Sequence, residues 1–150
     1  MRDDVHQTPV PQVLVVEDNP GDVRLLEEGV AAADTDVELH VRNNGKQAIE
    51  WLAGEREDRP PVERLDLVLL DLNLPGKSGF EVLQTVRDDS RFDTVPVVVV
   101  SSSENPDDVR RVYEGAANAY VTKPADPDEY IEMVVAAVQF WIPEVTQTDG

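Results

Sequence analysis

The 150-residue chain contains no cysteine, which excludes disulfide bonds, thiolate metal sites and cysteine nucleophiles. Long apolar segments are missing as well. Apolar runs such as residues 13–16, 67–70 and 95–100 fall far short of the roughly 20 residues that a membrane-spanning helix needs. The N-terminal residues also lack the apolar stretch of a signal peptide. We therefore expect a cytoplasmic protein.

Basic residues are scarce: 13 of them stand against 31 acidic residues, and the formal net charge is −18. Such a field repels nucleic-acid phosphates and anionic lipids, so we expect no direct binding to nucleic acid or to a membrane. Among the basic residues only Lys46, Lys77 and Lys123 are lysines. An acidic, lysine-poor surface is typical of proteins from salt-loving organisms, because dissolved salt screens the repulsion. This composition indicates a haloarchaeal source, with an ordinary acidic protein as the alternative.

Segments with strand and helix patterns alternate along the chain. Five apolar segments predict β-strands, at residues 13–17, 37–41, 65–70, 97–100 and 119–122. An amphipathic helical pattern follows each of them, and the last runs from Asp126 to Trp141. This alternation predicts an α/β fold of three layers, a (βα)5 parallel sheet covered by helices on both faces. The charged residues 54–64 indicate a loop, so residues 1–150 form one domain with a core of about 12–141.

The strand patterns also predict the order of the strands in the sheet. The third strand is almost entirely apolar, which indicates a central position. The second alternates polar and apolar residues, which indicates an edge. Both fit the doubly wound, flavodoxin-like order 2-1-3-4-5, in which ligands bind beyond the carboxyl ends of the strands.

Polar side chains stand at the carboxyl ends of four of the five predicted strands. The first strand ends in Glu17 and Asp18, the third in Asp71, the fourth in Ser101, and the fifth in Lys123. If these strands are neighbours, three carboxylates, a hydroxyl and an ammonium meet at one edge of the sheet. Crowded carboxylates repel each other unless a cation joins them, and oxygen ligands favour a hard ion such as Mg²⁺.

Asp71 is the carboxylate that we expect to react. It ends the central strand, and the turn after it, residues 72–76, can wrap backbone around an ion. Beside a bound cation, one carboxylate can attack a phosphoryl donor and form an aspartyl phosphate. Glu17 and Asp18 would hold the ion, one directly and the other through water. Lys123 would help the ion to offset the charge of the phosphoryl oxygens.

Five short motifs follow one another in the chain: Glu17-Asp18, Asp71 to Gly76, Ser101, Tyr120 to Thr122, and Lys123-Pro124. Asp18 and Asp71 are 53 residues apart, Ser101 follows 30 residues later, and Lys123 another 22. In motifs and spacing, the chain resembles the receiver domains of two-component response regulators over about residues 12–141. Residues 16–26, VEDNPGDVRLL, resemble the stand-alone receivers that partner cyanobacterial phytochromes. Together the five motifs are a very specific signal.

The resemblance implies which residues form the metal and phosphorylation site. Asp71 matches the phosphorylated aspartate, and Glu17 and Asp18 match the acidic pair that binds magnesium. Asn73 stands where a backbone carbonyl completes the metal shell. Glu17 departs from the more common aspartate, a change that keeps the carboxylate.

The resemblance also implies the parts that sense the phosphate. Lys123 matches the phosphate-binding lysine, and Ser101, in place of the more usual threonine, matches the switch hydroxyl. Tyr120 matches the aromatic residue that reorients on activation. In the family the peptide bond that corresponds to Lys123-Pro124 is cis, and we expect the same here.

The resemblance implies protein partners. A sensor histidine kinase would supply the phosphoryl group, and a downstream protein would bind with an affinity that depends on phosphorylation. The protein would be no enzyme beyond its own phosphorylation and dephosphorylation. In the last helix, Trp141 and the following Ile142 come late enough to cover a second copy of the chain. We therefore hypothesise a homodimer through the face that the fourth helix, fifth strand and fifth helix form.

Two other functions are compatible with parts of this pattern. A phosphatase of the haloacid dehalogenase type also has a nucleophilic aspartate after a strand. It needs a second acid two residues later, where this chain has Asn73, and an amide cannot transfer that proton. The other alternative is a degenerate receiver that binds partners without ever being phosphorylated.

Overall fold

The computed structural model describes residues 10–54, 64–74 and 78–142. Within these ranges, five strands alternate with five helices. The strands are β1 (Gln12–Val16), β2 (Glu38–Arg42), β3 (Leu67–Asp71), β4 (Val97–Ser101) and β5 (Ala119–Thr122). The helices are α1 (Pro20–Ala32), α2 (Gly45–Leu52), α3 (Gly79–Asp88), α4 (Pro106–Glu114) and α5 (Pro127–Trp141). The expected loop lies mostly outside the described residues, as do Pro75, Gly76 and Lys77.

All four strand pairs are parallel, and the order of the sheet is β2-β1-β3-β4-β5. The predicted order is therefore confirmed. Every residue of β3 is buried, as expected of a central strand, whereas β2 at the edge is partly exposed along its whole length. No helix in the described part of the chain is long and apolar enough to cross a membrane.

The sheet has a hydrophobic core on each face, because alternate side chains of a strand point to opposite sides. On one face, Leu14 and Val16 of β1 belong to a core that α2, α3 and α4 cover. On the other face, Val13 and Val15 belong to a core that α1 and α5 cover. This is the predicted three-layer architecture.

The end of α5 corrects one prediction about the homodimer. Ile142 is only 3% exposed and belongs to the core beneath α1 and α5, so it cannot cover a second copy of the chain. Trp141 also packs against that core, although it is only partly buried. Ile142 still donates its N–H to the carbonyl oxygen of Val138, so it continues the spacing of four that buries Val134 and Val138 on the inner face of α5.

Side-chain caps begin the helices close to the strand ends. Asn19, the N-cap of α1, accepts hydrogen bonds from the N–H groups of Gly21 and Asp22. Ser78 caps α3, and it forms a reciprocal capping box with Glu81. Each cap satisfies N–H groups that the first helical turn leaves without a partner. Helix starts are thereby fixed beside the carboxyl edge of the sheet.

Helices α1 and α5 lie close together at Gly29. A Cβ atom on Gly29 would lie 2.6 Å from Cβ of Val134, a distance that real Cβ atoms essentially never show. We predict that Gly29→Ala lowers the free energy of unfolding by about 1–3 kcal/mol, because overpacking outweighs the better helix propensity of alanine. Urea denaturation followed by circular dichroism measures the change.

The matched control is Gly21→Ala in the same helix. A Cβ atom there would meet only the side-chain oxygen of Asn19, at 3.2 Å. This variant should keep wild-type stability or gain some. Equal stability of the two variants would show that α1 and α5 have room to move apart.

Candidate metal and phosphorylation site

The register of the sheet brings the predicted strand-end residues to one edge. Val16 pairs with Leu70 in β1 and β3, so Glu17 and Asp71 follow side by side. On the other side of β3, Asp71 pairs with Val100, the residue before Ser101. The N–H of Lys123 donates to the carbonyl oxygen of Ser101 at 2.8 Å.

Glu17, Asp18 and Asp71 form an acidic cluster in which one carboxylate oxygen of each lies within 4.8 Å of the others. Glu17 and Asp71 are buried, whereas Asp18 is exposed. The donors are hard oxygen atoms, and the open side at Asp18 leaves space for the water ligands that Mg²⁺ usually keeps. The cluster therefore fits a hard divalent cation, as the sequence predicted.

Neighbouring backbone groups orient the two buried carboxylates. The N–H of Asn19 donates to Oε2 of Glu17 at 3.1 Å, and the N–H of Asn73 donates to Oδ1 of Asp71 at 3.0 Å. Each carboxylate thus keeps its other oxygen for the centre of the site. The backbone carbonyl of Asn73 as a metal ligand stays a prediction.

The ammonium of Lys123 contacts three carboxylates at once. Its Nζ atom lies 2.8 Å from Oδ2 of Asp22, 3.1 Å from Oε1 of Glu17 and 3.2 Å from Oδ2 of Asp71. An ammonium has three N–H donors, so these contacts use all of them. The expected cis bond after Lys123 is wrong, since no peptide bond of the described residues is cis. Trans is also the more stable isomer of most bonds before proline.

Asp22 is the site residue that sequence reasoning missed. It lies in the first turn of α1, four residues after Asp18, where an acidic residue is also explained by the helix dipole. The signal that was available is its place within the VEDNPGDV motif. Only the fold shows that the first turn of α1 faces the end of β5.

Burial and charge shift the protonation of the site. Burial, together with the nearby charge of Asp71, raises the pKa of Glu17 to about 7, and Lys123 offsets only part of that rise. Burial disfavours the charged form of Lys123. Even so, the hydrogen bond to Asp22 and the charges of Glu17 and Asp71 outweigh burial and raise the pKa of Lys123 above its ordinary value. The lysine therefore stays charged at neutral pH.

Ser101 and Tyr120 are connected through Ser103. Ser101 is fully buried, and its Oγ accepts a hydrogen bond from the N–H of Ser103 at 3.1 Å. The hydroxyl of Tyr120 donates to the carbonyl oxygen of Ser103 at 2.6 Å, and its ring packs against the core. In addition, the N–H of Tyr120 donates to the hydroxyl of Tyr113 on α4. Tyr120 is half-buried in this arrangement, and its role as a switch stays a prediction.

Comparison with known proteins agrees with this geometry. The family model of the response regulator receiver domain matches residues 13–135. The chain belongs to this family. Receiver domains signal through phosphorylation, bind a divalent metal at an acidic pocket and interact with histidine kinases and downstream proteins. Membership in the family removes the haloacid dehalogenase alternative.

Several relatives of this receiver are cyanobacterial. Response regulator Rcp1 of Synechocystis sp. is 39% identical over 140 residues, which are 92% of this chain and 93% of Rcp1. The crystal structure of the phosphorylated cyanobacterial phytochrome response regulator RcpA has a TM-score of 0.83 at 35% identity and covers 90% of this chain and 96% of RcpA. The Mn²⁺-bound form of Rcp1 has a TM-score of 0.79 at 37% identity, with the same coverage. These proteins support the predicted phytochrome-partner resemblance.

The raised pKa of Glu17 predicts how metal binding depends on pH. A protonated Glu17 cannot bind a cation, so metal and proton compete below pH 7. We predict that the affinity of the receiver for Mg²⁺ or Mn²⁺ rises from about pH 6 to about pH 8, with a slope approaching tenfold per unit on the acid side. Isothermal titration at constant ionic strength measures it.

The control for this experiment is Glu17→Gln, which keeps the shape of the side chain but cannot titrate. It should bind metal more weakly and lose most of the pH dependence between those limits. The same slope in Glu17→Gln and in the wild type would assign the dependence to another group.

Proposed function

We propose that this receiver is a single-domain response regulator in which Asp71 takes a phosphoryl group from a sensor histidine kinase. The observation that carries the proposal is the meeting of Glu17, Asp18 and Asp71 with the ammonium of Lys123 at one edge of the sheet. The match to 93% of the length of Rcp1 supports a regulator made of this domain alone. The excess of acidic residues favours a protein that binds neither nucleic acid nor an anionic membrane, and we propose that it acts in the cytoplasm.

The proposed reaction is the transfer of one phosphoryl group. A carboxylate oxygen of Asp71 attacks phosphorus, a P–O bond forms, and the P–N bond to the histidine of the kinase breaks. Lys123 donates hydrogen bonds to the phosphoryl oxygens, where negative charge must be offset. Mg²⁺ would be held by Glu17, Asp18, Asp71 and the Asn73 carbonyl, and it would act as a Lewis acid on the phosphoryl oxygens.

The proposed response begins at Ser101 and ends at the surface of α4 and β5. Phosphate on Asp71 adds charge and hydrogen-bond acceptors beside Ser101 and Lys123. Ser101 accepts a hydrogen bond from the N–H of Ser103, and this bond changes when the Ser101 hydroxyl donates to the phosphate. The carbonyl oxygen of Ser103 accepts the hydrogen bond of the Tyr120 hydroxyl, so the change reaches Tyr120. Phosphorylation would thus shift the population between two packings of Tyr120, and a downstream protein would bind one of them.

Replacing Asp71 tests the assignment of the nucleophile. Asp71→Asn keeps the size and the acceptor oxygen but removes the nucleophilic carboxylate. We predict that acetyl phosphate and Mg²⁺ add one phosphoryl group to the wild type and none to Asp71→Asn, as read by intact-protein mass spectrometry. Asp88→Asn removes an exposed acid at the end of α3 and should be phosphorylated like the wild type.

Two outcomes would contradict the assignment. Normal phosphorylation of Asp71→Asn would place the acceptor elsewhere. A wild type that takes up no phosphate from acetyl phosphate or from a kinase, although it binds metal, would support the degenerate receiver instead.

We also propose a homodimer through α4, β5 and α5. Two large apolar side chains of this region are exposed: Phe140 on α5 is 73% exposed, and Tyr113 on α4 is 48% exposed. Exposed aromatic side chains are frequent in protein interfaces. Phe140, rather than Ile142, is thus the apolar side chain that we expect at the interface, and the ring of Trp141 packs edge-on against Phe140.

Phe140→Ser tests this interface. We predict that the wild type forms a dimer in the presence of beryllofluoride, which mimics the phosphoryl group, and that Phe140→Ser stays a monomer under the same conditions. Light scattering at high protein concentration gives the mass. Val10→Ser removes another exposed apolar side chain, which is 45% exposed and lies outside α4, β5 and α5, and should leave the dimer intact. A wild type that is monomeric with and without beryllofluoride would refute the proposed dimer.

A further inference from the structure

We infer that Asp22 is a positioning residue, which holds the ammonium of Lys123 while a cation occupies the acidic cluster. The inference rests on the proposed function, because it concerns the same site. It assigns to Asp22 a role that neither the metal ligands nor the phosphorylated aspartate can fill.

The contacts of Lys123 distinguish Asp22 from the other two carboxylates. Asp22 makes the shortest of the three, at 2.8 Å, and its side chain is 22% exposed, so the pair is largely shielded from water. Glu17 and Asp71 belong to the acidic cluster, whereas Asp22 does not. Asp22 is also fixed from outside the cluster, because α1 carries it and Asn19 caps that helix.

This arrangement decides what happens to Lys123 when a cation binds. The ammonium contacts Oε1 of Glu17 and Oδ2 of Asp71, two carboxylates of the set that a cation would use. Two cations that share these carboxylates repel each other, so the lysine contacts with them must weaken. Asp22 then becomes the main anionic partner of the ammonium. The lysine thus stays beside Asp71, where a phosphoryl group would need it.

The inference predicts that Asp22 and Lys123 act together on metal affinity. Without Asp22, a bound cation must compete with an ammonium whose remaining carboxylate partners are Glu17 and Asp71. Without Lys123 this competition is gone, and Asp22 acts on the cation only through its charge. The effect of Asp22→Asn should therefore depend on whether Lys123 is present.

A double-mutant cycle measures this dependence. Mg²⁺ is titrated into the wild type, Asp22→Asn, Lys123→Gln and the double variant, in matched salt and buffer. We expect Asp22→Asn to weaken Mg²⁺ binding roughly threefold to tenfold in the wild-type background, the scale of one partly buried ion pair. In the Lys123→Gln background, we expect the same change to weaken binding less than about twofold.

Glu27→Gln, in both backgrounds, controls for the loss of one charge from α1, because Glu27 is exposed on the same helix. Circular dichroism of each variant confirms that it is folded. An equal effect of Asp22→Asn in the two backgrounds would overturn the inference, as would an effect no larger than that of Glu27→Gln. If the wild type bound no Mg²⁺ at all, the inference and the proposed function would both fail, whereas binding without coupling would refute only the inference.

Discussion

Electrostatic repulsion among carboxylates is the constraint on which this site depends. The sheet places Glu17, Asp18 and Asp71 together, two of them out of contact with bulk water, and such a group is stable only beside positive charge. Lys123 supplies that charge from the residue directly after β5. The same site can bind a second cation, because the carboxylates offset its positive charge. It can also hold a phosphoryl group, because Lys123 offsets part of the negative charge of that group.

The fold brings the charged residues together by placing the ends of the strands side by side and by starting capped helices close to those ends. Parallel strands in the order β2-β1-β3-β4-β5 put the ends of β1, β3, β4 and β5 side by side. Asn19 caps a helix three residues after the end of β1, and Ser78 caps a helix seven residues after the end of β3. Gly79 allows the close return of α3, since a Cβ atom there would lie 2.7 Å from the carbonyl oxygen of Asp71. The close approach of Gly79 therefore holds the start of α3 against the backbone of Asp71.

Much of the fold and the acidic cluster could be predicted from the sequence. An apolar segment shows where a strand lies, and the polar residue after it shows which side chain stands at the carboxyl edge of the sheet. Other features depend on tertiary contacts that no local pattern encodes. Asp22 has the same local signal as any acid in a first helical turn, and Ile142, although it continues the spacing of Val134 and Val138, lies one residue beyond the predicted end of the helix. Tyr120 donates its hydroxyl to the backbone carbonyl of Ser103, a contact between residues 17 positions apart that no local pattern indicates.

The central claim is that one edge of the sheet binds a divalent cation and a phosphoryl group together. A crystal structure of the protein with Mg²⁺ and beryllofluoride tests it most directly. The account predicts beryllium on a carboxylate oxygen of Asp71, the ion among oxygens of Glu17, Asp18 and Asp71, and the ammonium of Lys123 within hydrogen-bonding distance of both a fluorine atom and Asp22. Beryllofluoride on another residue, or an ion bound away from these carboxylates, would contradict it.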